Sequence, residues 1–403
     1  MKLFSSHSSY LGVDIGSAGI KVVELKNENG RPRLVTYGFA EEPVDIVHNT
    51  SQRMQDKIVT LLTKICQEAK VTSKKTIAAL PSFSVFSSII SLPPMNKKEL
   101  AQAIYWQAKK FVPLPLEEMT LDWKLLASDV AAIGKQDKNP KTSSSPPAGI
   151  KPDQQGHKDI SQSHLGQTGA PSSPDVSSIS EKHSESSKRD STKDLKVLIA
   201  AAPKKLVIRY VNVFKEAGLE LLSLETENFA LERSLVGGDK APVMIVDIGA
   251  ITSDISIVEN GIPLLSRSVD SGGEAITRAI INSMQVDKKR AEQFKRDIGF
   301  LPGRGNLPKV IESAIGPIIN EIKYCFDLYA SHQSSQGIEK IVLTGGCAFL
   351  PNITEYLSKL LNIKVFIGDP WARVIYPVEL KSVLDELAPR FSVAVGLAMR
   401  EIV

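Results

Sequence analysis

The chain has 403 residues, of which 42% are hydrophobic and 23% are charged, and its net charge is +4. This length allows more than one domain, and the balanced charge excludes a dedicated nucleic-acid binder, which carries a clustered basic face. Three scattered cysteines exclude a disulfide framework, no apolar run reaches the ~20 residues that span a bilayer, and the first residues lack the apolar core of a secretion signal. We therefore expect an intracellular protein.

The N-terminal part of the chain alternates short apolar segments with helical patterns. Apolar residues recur at the period of a helix over 54–69 and again over 100–111. The predicted strands of this part are residues 11–15, 20–25, 33–39 and 76–80. Further along, a buried strand is predicted at 196–202 and a helix at 206–217.

A long polar segment, residues 131–194, separates these elements. It is rich in Ser, Pro, Lys, Asp and Gln and contains no aromatic residue. Such a composition buries too little apolar surface to offset the entropy of ordering the chain. We therefore predict a disordered insertion.

The pattern restarts beyond Gly238 with a second set of elements. Apolar runs and helical periodicity again alternate, in an order similar to that of the first part. The predicted strands are residues 243–247, 254–258, 263–269 and 340–343, and the predicted helices are 274–284, 288–298, 309–331 and 350–360.

Two Asp-Gly turns, one in each part, carry the strongest chemical signal. Val13-Asp14-Ile15-Gly16 and Val246-Asp247-Ile248-Gly249 each place an aspartate at the end of an apolar strand, before a tight turn. Turns of small residues expose consecutive backbone N–H groups that bind phosphate oxygens. Two such turns predict a duplicated α/β fold with a phosphate-binding cleft, where the aspartates hold hydrated Mg²⁺ or orient a water. No P-loop is present, and the turns lead into strands, unlike those of the Rossmann fold.

Two glycine pairs also fit a nucleotide. Gly345-Gly346 follows a predicted strand and offers bare backbone to a base or ribose, although such a pair also forms ordinary turns. Gly272-Gly273 opens a predicted helix and places N–H donors beside the carboxylate of Glu274.

Glu292 and Lys295 lie three residues apart on one predicted helical face. They either bind the ribose and adenine of a nucleotide or form a solvated surface pair. Cys347, between a glycine and a helix, is interpreted as a small packing residue and not as a nucleophile, because no histidine is near it in sequence.

In combination these motifs resemble those of the actin-like ATPases, the superfamily of actin, the sugar kinases and the bacterial division protein FtsA. The stretches that carry the resemblance are LGVDIGSAGIKVVEL, VDIGAITSDISI, SGGEAIT, AEQFKRDIG and VLTGGCAFLPN. Within the superfamily the chain is similar to the PilM family of type IV pilus assembly, through VDIGSAGIKVVEL, AALPSFSVFSSIISLP and residues 225–235. The similarity covers nearly the whole chain except the insertion.

The resemblance implies an α/β fold of two duplicated β-β-β-α halves around a nucleotide cleft, with a small FtsA-like extra subdomain. The implied units are a first core domain (1–81, completed by 204–238 and a C-terminal helix 389–403), an inserted subdomain (82–203) that contains the segment 131–194, and a second domain (239–388).

The resemblance also implies the cofactor and the site residues. ATP is the implied ligand, and Asp14 and Asp247 would hold Mg²⁺ through water. Asp247 and Glu227 are the implied catalytic residues of what is at most a slow ATPase. The implied nucleotide-binding residues are Asp14, Gly16, Ser17, Lys21, Gly249, Thr252, Gly272, Gly273, Glu292, Lys295, Gly345 and Gly346.

The function that the resemblance implies is that of a cytoplasmic adaptor at the inner face of the cytoplasmic membrane. Its partner would be the N-terminal cytoplasmic peptide of a PilN-like membrane protein, docked between the inserted subdomain and the first core domain. Other components of the pilus inner-membrane platform and weak self-association are also expected, with no nucleic acid and with membrane contact only through the partner.

Two other functions on the same fold are less consistent with the sequence. A sugar or acetate kinase needs an aspartate beside the acceptor hydroxyl, and residues 78–100 contain none. An FtsA-like filament protein would end in a basic amphipathic membrane helix. The last predicted helix instead carries an apolar stripe that we expect to be packed, formed by Phe391, Val395, Ala398 and Ile402.

Overall fold

Thirteen strands in three sheets and ten α-helices make up the part of the chain that the computed structural model describes, residues 8–126, 194–303, 305–331 and 337–403. The strands in chain order are β1 (Ser9–Gly16), β2 (Gly19–Glu28), β3 (Arg31–Ala40), β4 (Lys75–Leu80), β5 (Phe86–Leu92), β6 (Met119–Leu125), β7 (Leu195–Pro203), β8 (Glu220–Thr226), β9 (Val243–Ile248), β10 (Ser253–Glu259), β11 (Ile262–Val269), β12 (Lys340–Thr344) and β13 (Lys364–Ile367).

The helices follow the predicted apolar periodicity in most places. In α1, for example, the Ser51 side chain accepts a hydrogen bond from the Met54 N–H at the N-terminus, and one apolar stripe faces the core. The α-helices in chain order are α1 (Gln52–Glu68), α2 (Lys97–Phe111), α3 (Lys204–Glu216), α4 (Glu227–Leu231), α5 (Gly273–Met284), α6 (Lys288–Ile298), α7 (Leu307–Ala314), α8 (Gly316–Ala330), α9 (Ile353–Leu361) and α10 (Lys381–Met399).

The two large sheets repeat one topology. The first has the order β3-β2-β1-β4-β8 and the second the order β11-β10-β9-β12-β13. In each, three antiparallel strands are followed by two parallel ones. The structure therefore confirms the duplicated α/β architecture predicted from the two Asp-Gly turns.

A smaller sheet of order β5-β7-β6 lies between β4 and α3 in the chain. Helix α2 covers it, burying Leu100, Ile104 and Ala108 against strand residues. β7 was predicted, whereas β5 and β6 were not, because their sequences FSSIISL and MTLDWKL mix serine and charged residues with apolar ones. The predicted disordered segment 131–194 lies, except for its last residue, outside the described residues.

One predicted helix is wrong in its extent. Residues 309–331 do not form a single helix, since α7 ends at Ala314 and α8 begins at Gly316. Pro317 explains the break, because proline cannot donate to the carbonyl four residues before it and its ring collides with that carbonyl. Proline is tolerated in the first turn of α8, where no intrahelical donor is required.

Helix α10 packs on the first sheet, against β1 and β2. The predicted stripe is packed as expected: Phe391, Val395, Ala398 and Ile402 are all buried. A close approach to β1 is required here, because a Cβ atom on Gly12 would lie 2.1 Å from the Ala394 carbonyl oxygen.

Candidate functional site

Equivalent hairpins of the two large sheets carry the residues predicted to bind phosphate and metal. In the β1–β2 hairpin, Asp14 pairs with Lys21 across the strands, and the Lys21 Nζ atom donates to Asp14 Oδ2 over 2.8 Å. In the β9–β10 hairpin, Asp247 pairs with Asp254 in the same way. The second copy of the motif thus places a carboxylate where the first has an ammonium group.

Asp254 was not predicted as a site residue. It is buried, and its Oδ1 accepts a hydrogen bond from the Ser268 hydroxyl of the neighbouring strand β11. A signal for it exists in the sequence, because Asp254 follows Asp247 by seven residues, as Lys21 follows Asp14.

Four carboxyl groups from both halves of the molecule, those of Asp14, Asp247, Asp254 and Glu227, lie close enough to affect one another's pKa, and their shared surroundings are called the cleft below. Burial, followed by the charges of Asp254 and Asp14, raises the pKa of Asp247 to about 7, against the lowering effect of Lys21. Burial likewise raises the pKa of Asp254 to about 6, against the opposing effect of the Ser268 hydrogen bond. The cleft therefore concentrates more negative charge than Lys21 balances.

Glu227 is the fourth carboxyl group, at the first residue of α4. Burial raises its pKa well above the usual range, and the charges of Asp254, Asp14 and Asp247 add to this effect. The Tyr210 side chain of α3 is buried near Glu227. Burial raises the pKa of Tyr210, and the charges of Glu227 and Asp14 raise it further. The structure thus brings Glu227 to the two predicted aspartates.

A single turn holds Glu227 in place. Strands β4 and β8 are parallel and end together, with Leu80 paired to Thr226. The residues that follow them consequently meet: Glu227 Oε2 accepts from the Ser82 N–H over 3.0 Å and lies 3.4 Å from the Ser82 hydroxyl. Ser82 begins a short 3₁₀ turn, Ser82–Ser84, that leads into β5.

The first predicted phosphate turn is a two-residue hairpin turn. β1 ends at Gly16 and β2 begins at Gly19, so the turn consists of Ser17 and Ala18. A Cβ atom on Gly16 would lie 3.5 Å from Lys21 Nζ and 3.7 Å from Asp14 Oδ1. Gly16 and Lys21 therefore lie beside Asp14, and Ser17 follows in the same turn.

The second turn is held by hydrogen bonds within the turn and from α5. Within it, the Gly249 N–H donates to the Thr252 carbonyl over 3.0 Å. From α5, the N–H groups of Gly273 and Glu274 donate to the carbonyls of Gly249 and Ala250 over 2.9 and 2.8 Å. These donors, which we expected to face a nucleotide, are thus used to hold the turn.

Gly272 has a related packing role. A Cβ atom there would lie 2.6 Å from the Gly249 carbonyl oxygen and 2.8 Å from that of Ala250. Glycine is therefore required at this position because α5 begins directly against the second turn.

Glu292 and Lys295 form part of a buried cluster and not a solvated surface pair. Lys295 is only 8% exposed, and its Nζ atom donates to Glu292 Oε1 and Thr277 Oγ1, each over 2.8 Å, and to the Gly273 carbonyl over 3.2 Å. Partial burial would raise the pKa of Glu292, but hydrogen bonds from Lys295 and Thr277 lower it overall. The cluster joins α5 to α6 at the edge of the second turn.

Gly345 and Gly346 have different surroundings. Gly345 has a φ of +86° and its N–H donates to the Pro389 carbonyl of α10 over 3.1 Å. At Gly346 a Cβ atom would have no neighbour within 4 Å, so its backbone faces open space. Cys347 is buried, which raises the pKa of its thiol to about 11, consistent with its interpretation as a packing residue.

The described residues contain no group of three or more His, Cys, Asp or Glu side chains close enough to share a metal ion. The carboxylates of the cleft thus do not form a closed all-protein metal cage. A Mg²⁺ ion commonly keeps several waters and binds one or two carboxylates together with substrate phosphates. The arrangement suits that mode of binding. None of the helices in the described residues is long and apolar enough to cross a membrane.

Comparison with known proteins places the chain in a family. The model of the family described as type IV pilus assembly protein PilM matches residues 12–139 and 183–402. A chain of a solved PilM-PilN type IV pilus biogenesis complex superimposes with a TM-score of 0.71 at 22% identity, covering 98% of both chains. The solved ethanolamine utilization protein EutJ of Carboxydothermus hydrogenoformans gives a TM-score of 0.50 at 15% identity, covering 98% of this chain and 90% of that one.

Curated relatives match over shorter stretches. Ethanolamine utilization protein EutJ of Escherichia coli is 31% identical over 149 residues, which are 37% of this chain and 48% of that protein. Cell division protein FtsA of Neisseria meningitidis is 28% identical over 181 residues, 38% of this chain and 41% of that protein. The chain therefore spans less than half the length of these two relatives. It has the actin-like ATPase fold and belongs to the family of the type IV pilus assembly protein PilM.

Proposed function

We propose that this protein is an ATP-binding cytoplasmic adaptor of type IV pilus assembly that docks a PilN-like inner-membrane protein. The observation that carries the proposal is the convergence of Asp14, Asp247, Asp254 and Glu227 from both halves of the fold, in a chain of the PilM family. The excess negative charge of this cleft fits a divalent cation, which supplies the positive charge that the nearby Lys21 cannot supply alone.

In this proposal ATP binds between the two hairpin turns. Gly16, Ser17 and Lys21 on one side, and Gly249 and Thr252 on the other, contact the phosphates. Asp14 and Asp247 hold Mg²⁺ through its waters, and the ion when bound neutralises phosphate charge. The Gly346 backbone and the Glu292–Lys295 cluster bind the adenosine, with Gly272, Gly273 and Gly345 shaping the wall around it.

Hydrolysis of the nucleotide is slow at most. Glu227 is the group that orients a water, and burial together with the charges of the neighbouring carboxylates raises its pKa. A higher pKa leaves less of a carboxyl group ionised and able to accept a proton from that water, which suits a protein that holds its nucleotide for long periods.

In the proposal the partner is the N-terminal cytoplasmic peptide of a PilN-like protein; the similarity to a chain of a solved PilM-PilN complex supports a PilN-like partner. It binds between the inserted subdomain (82–203) and the first core domain (1–81, 204–238 and 389–403), while residues 239–388 form the second domain. The protein lies at the inner face of the cytoplasmic membrane through this partner, contacts other components of the pilus platform, and self-associates weakly.

A capture experiment tests the adaptor proposal. A synthetic peptide with the N-terminal cytoplasmic sequence of the PilN protein from the same organism is immobilised beside a scrambled peptide of equal composition. The full chain should bind the first peptide and not the second. Equal retention on both peptides, or on neither, would contradict the proposed partner.

A further inference from the structure

Helix α2 of the inserted subdomain carries exposed aromatic side chains on its outer face. Its inner face buries Leu100, Ile104 and Ala108 against the small sheet. On the outer face Trp106 is 62% exposed and Tyr105 is 40% exposed, and their rings meet edge to face with centroids 5.8 Å apart. Aromatic rings that lie side by side on a surface are typical of interaction sites.

The same face is basic. Lys109 and Lys110 are exposed in the last turn of α2, and the Lys109 Nζ atom lies 5.7 Å from the centroid of the Trp106 ring. This distance allows a cation–π interaction, which keeps the charge next to the exposed ring. The only acidic residue in the sequence of α2 is Glu99, in the first turn at the other end of the helix. The C-terminal half of α2 therefore presents positive charge and aromatic surface together.

The chain beyond α2 continues this surface. Phe111, the last residue of the helix, and Leu114 in the following turn are both exposed. Glu117 and Glu118 come next, and Lys204 of α3 lies beside them, since its Nζ atom donates to the Glu117 carbonyl over 2.7 Å. The two carboxylates are thus accompanied by a third lysine, and the surface keeps an excess of positive charge.

Anionic lipid matches this combination of side chains. Tryptophan and tyrosine rings are favoured at the membrane–water interface, and lysines near it are attracted to anionic headgroups. Protein–protein interfaces are enriched in aromatic residues but depleted in lysine. Lysines beside exposed Trp and Phe residues are typical of helices that lie in a membrane interface. The composition of this face therefore favours a lipid surface over a protein partner.

We propose that the α2 surface, formed by Tyr105, Trp106, Lys109, Lys110 and Phe111, binds a bilayer that contains anionic lipid. The contact is peripheral: the aromatic rings enter the headgroup region, and the lysines pair with lipid phosphates. It goes beyond the proposed function, in which the membrane is reached through the partner protein.

The proposed function gives this contact a role, and this step rests on it. In that proposal the inserted subdomain docks the cytoplasmic N-terminal peptide of a membrane protein. A peptide tethered to the bilayer brings α2 within reach of the headgroups, and two attachments to one membrane together bind more strongly than either alone. The lipid contact then also determines which side of the protein faces the membrane.

Vesicle sedimentation with the full chain tests the charge in this contact. The wild type should bind vesicles of phosphatidylethanolamine and phosphatidylglycerol at least fivefold more tightly than phosphatidylcholine vesicles, and added salt should weaken the binding. The double variant Lys109→Glu, Lys110→Glu should weaken it tenfold or more, because each lysine near an anionic surface adds to the affinity. The matched control is Lys74→Glu, Lys75→Glu, which changes two adjacent exposed lysines of the first core domain and should stay within twofold of the wild type.

A second pair of variants tests the aromatic part. Trp106→Ala should weaken vesicle binding fivefold or more. Tyr324→Ala is the matched control, because the Tyr324 ring of α8 is also exposed and has the Arg267 guanidinium 5.2 Å from its centroid. Its vesicle binding should stay within twofold of the wild type. All of these side chains are exposed, so the variants should fold as the wild type does.

Fluorescence quenching by brominated lipids reports insertion of the ring directly. The chain has three tryptophans, of which Trp371 is buried and Trp106 is the most exposed. Brominated phosphatidylglycerol in the vesicles should quench the wild type, and most of that quenching should be lost in Trp106→Phe. Equal quenching of the two proteins would contradict insertion of Trp106.

The outcomes separate this inference from the proposed function. A wild type that binds the PilN peptide but not anionic vesicles, or whose vesicle binding is unchanged by the α2 variants, would overturn the inference and leave the proposed function standing. Retention on immobilised polyglutamate without vesicle binding would indicate an acidic protein partner and would also overturn it. Vesicle binding that depends on α2, in a chain that does not bind the peptide, would support the lipid contact and contradict the proposed function.

Discussion

Gly345 and Asp247 approach so closely that no side chain fits between them. A Cβ atom on Gly345 would lie 2.3 Å from Asp247 Oδ1 and 2.4 Å from the Ile248 carbonyl oxygen. The φ of Gly345, +86°, is also one that other residues adopt only with strain. The turn after β12 thus packs directly against Asp247, near the end of β9.

Gly345→Ala should therefore lower the free energy of unfolding by about 1–3 kcal/mol, through backbone strain and displacement of the Asp247 carboxylate. Urea denaturation measures the change. Gly346→Ala is the control, because a Cβ atom there meets nothing within 4 Å, and its effect should stay within about 0.5 kcal/mol. Equal stability of the two variants would contradict the packing described for Gly345.

Asp247→Asn should stabilise the nucleotide-free protein. An unfolded aspartate loses its proton near pH 4, whereas Asp247, with a pKa of about 7 in the folded protein, keeps its proton to higher pH. The folded state binds more protons between these values, so this group makes stability fall as pH rises from about 4 to 7. Asparagine does not ionise, so the variant does not lose stability in this way as the pH rises. Its melting temperature should exceed that of the wild type by several degrees at pH 8 and by little at pH 4.

Asp239→Asn provides a control of opposite sign for this measurement. Hydrogen bonding to Lys340 lowers the pKa of Asp239, so its substitution should not stabilise the protein at pH 8. If Asp247→Asn melts at the same temperature as the wild type at every pH, burial and the neighbouring carboxylates do not raise the pKa of Asp247 as described.

Glu227→Gln should reduce ATP hydrolysis towards background. Positioning and deprotonating a water typically contributes ~10²–10⁴-fold to a rate, and glutamine cannot accept the proton. Because the two side chains have nearly the same shape, ATP and peptide affinity should be retained. Steady-state phosphate release measures the effect, with Glu216→Gln on the exposed side of α3 as control. Unchanged hydrolysis in Glu227→Gln would exclude a role for this residue in turnover.

The segment between β6 and β7 should be replaceable. These strands pair antiparallel, with Leu125 opposite Val197, and the Leu126 N–H donates to the Lys196 carbonyl over 3.0 Å. Their adjoining ends need only a short connection, and loop length contributes slowly to the closure entropy. Replacement of residues 135–190 by a short Gly/Ser linker should leave the melting temperature unchanged, and a fall of several degrees would show that the segment contributes to the fold.

Features that depend on residues close together in the sequence could be predicted from it. The two Asp-Gly turns predicted the duplicated sheets, and the apolar periodicity predicted most of the helices. The small strand β13 and the serine-containing β5 were missed because their apolar patterns are too short or too mixed to indicate a strand.

Contacts between distant residues could not be predicted in this way. Ser82 and Glu227 are 145 residues apart in the chain and meet only because β4 and β8 are paired. The burial of Lys295 likewise depends on the packing of α6 against α5, which turns an apparent surface pair into an internal cluster. Such features require the tertiary structure.

Binding of Mg·ATP at the four-carboxylate cleft is the central claim, and thermal unfolding in its presence tests that claim most directly. A ligand that binds only the folded state at one hundred times its Kd adds about 2.7 kcal/mol to stability. Millimolar Mg·ATP should therefore raise the melting temperature of the wild type by several degrees, and Asp14→Ala should remove that rise. A wild type whose melting temperature does not change with Mg·ATP would contradict the account.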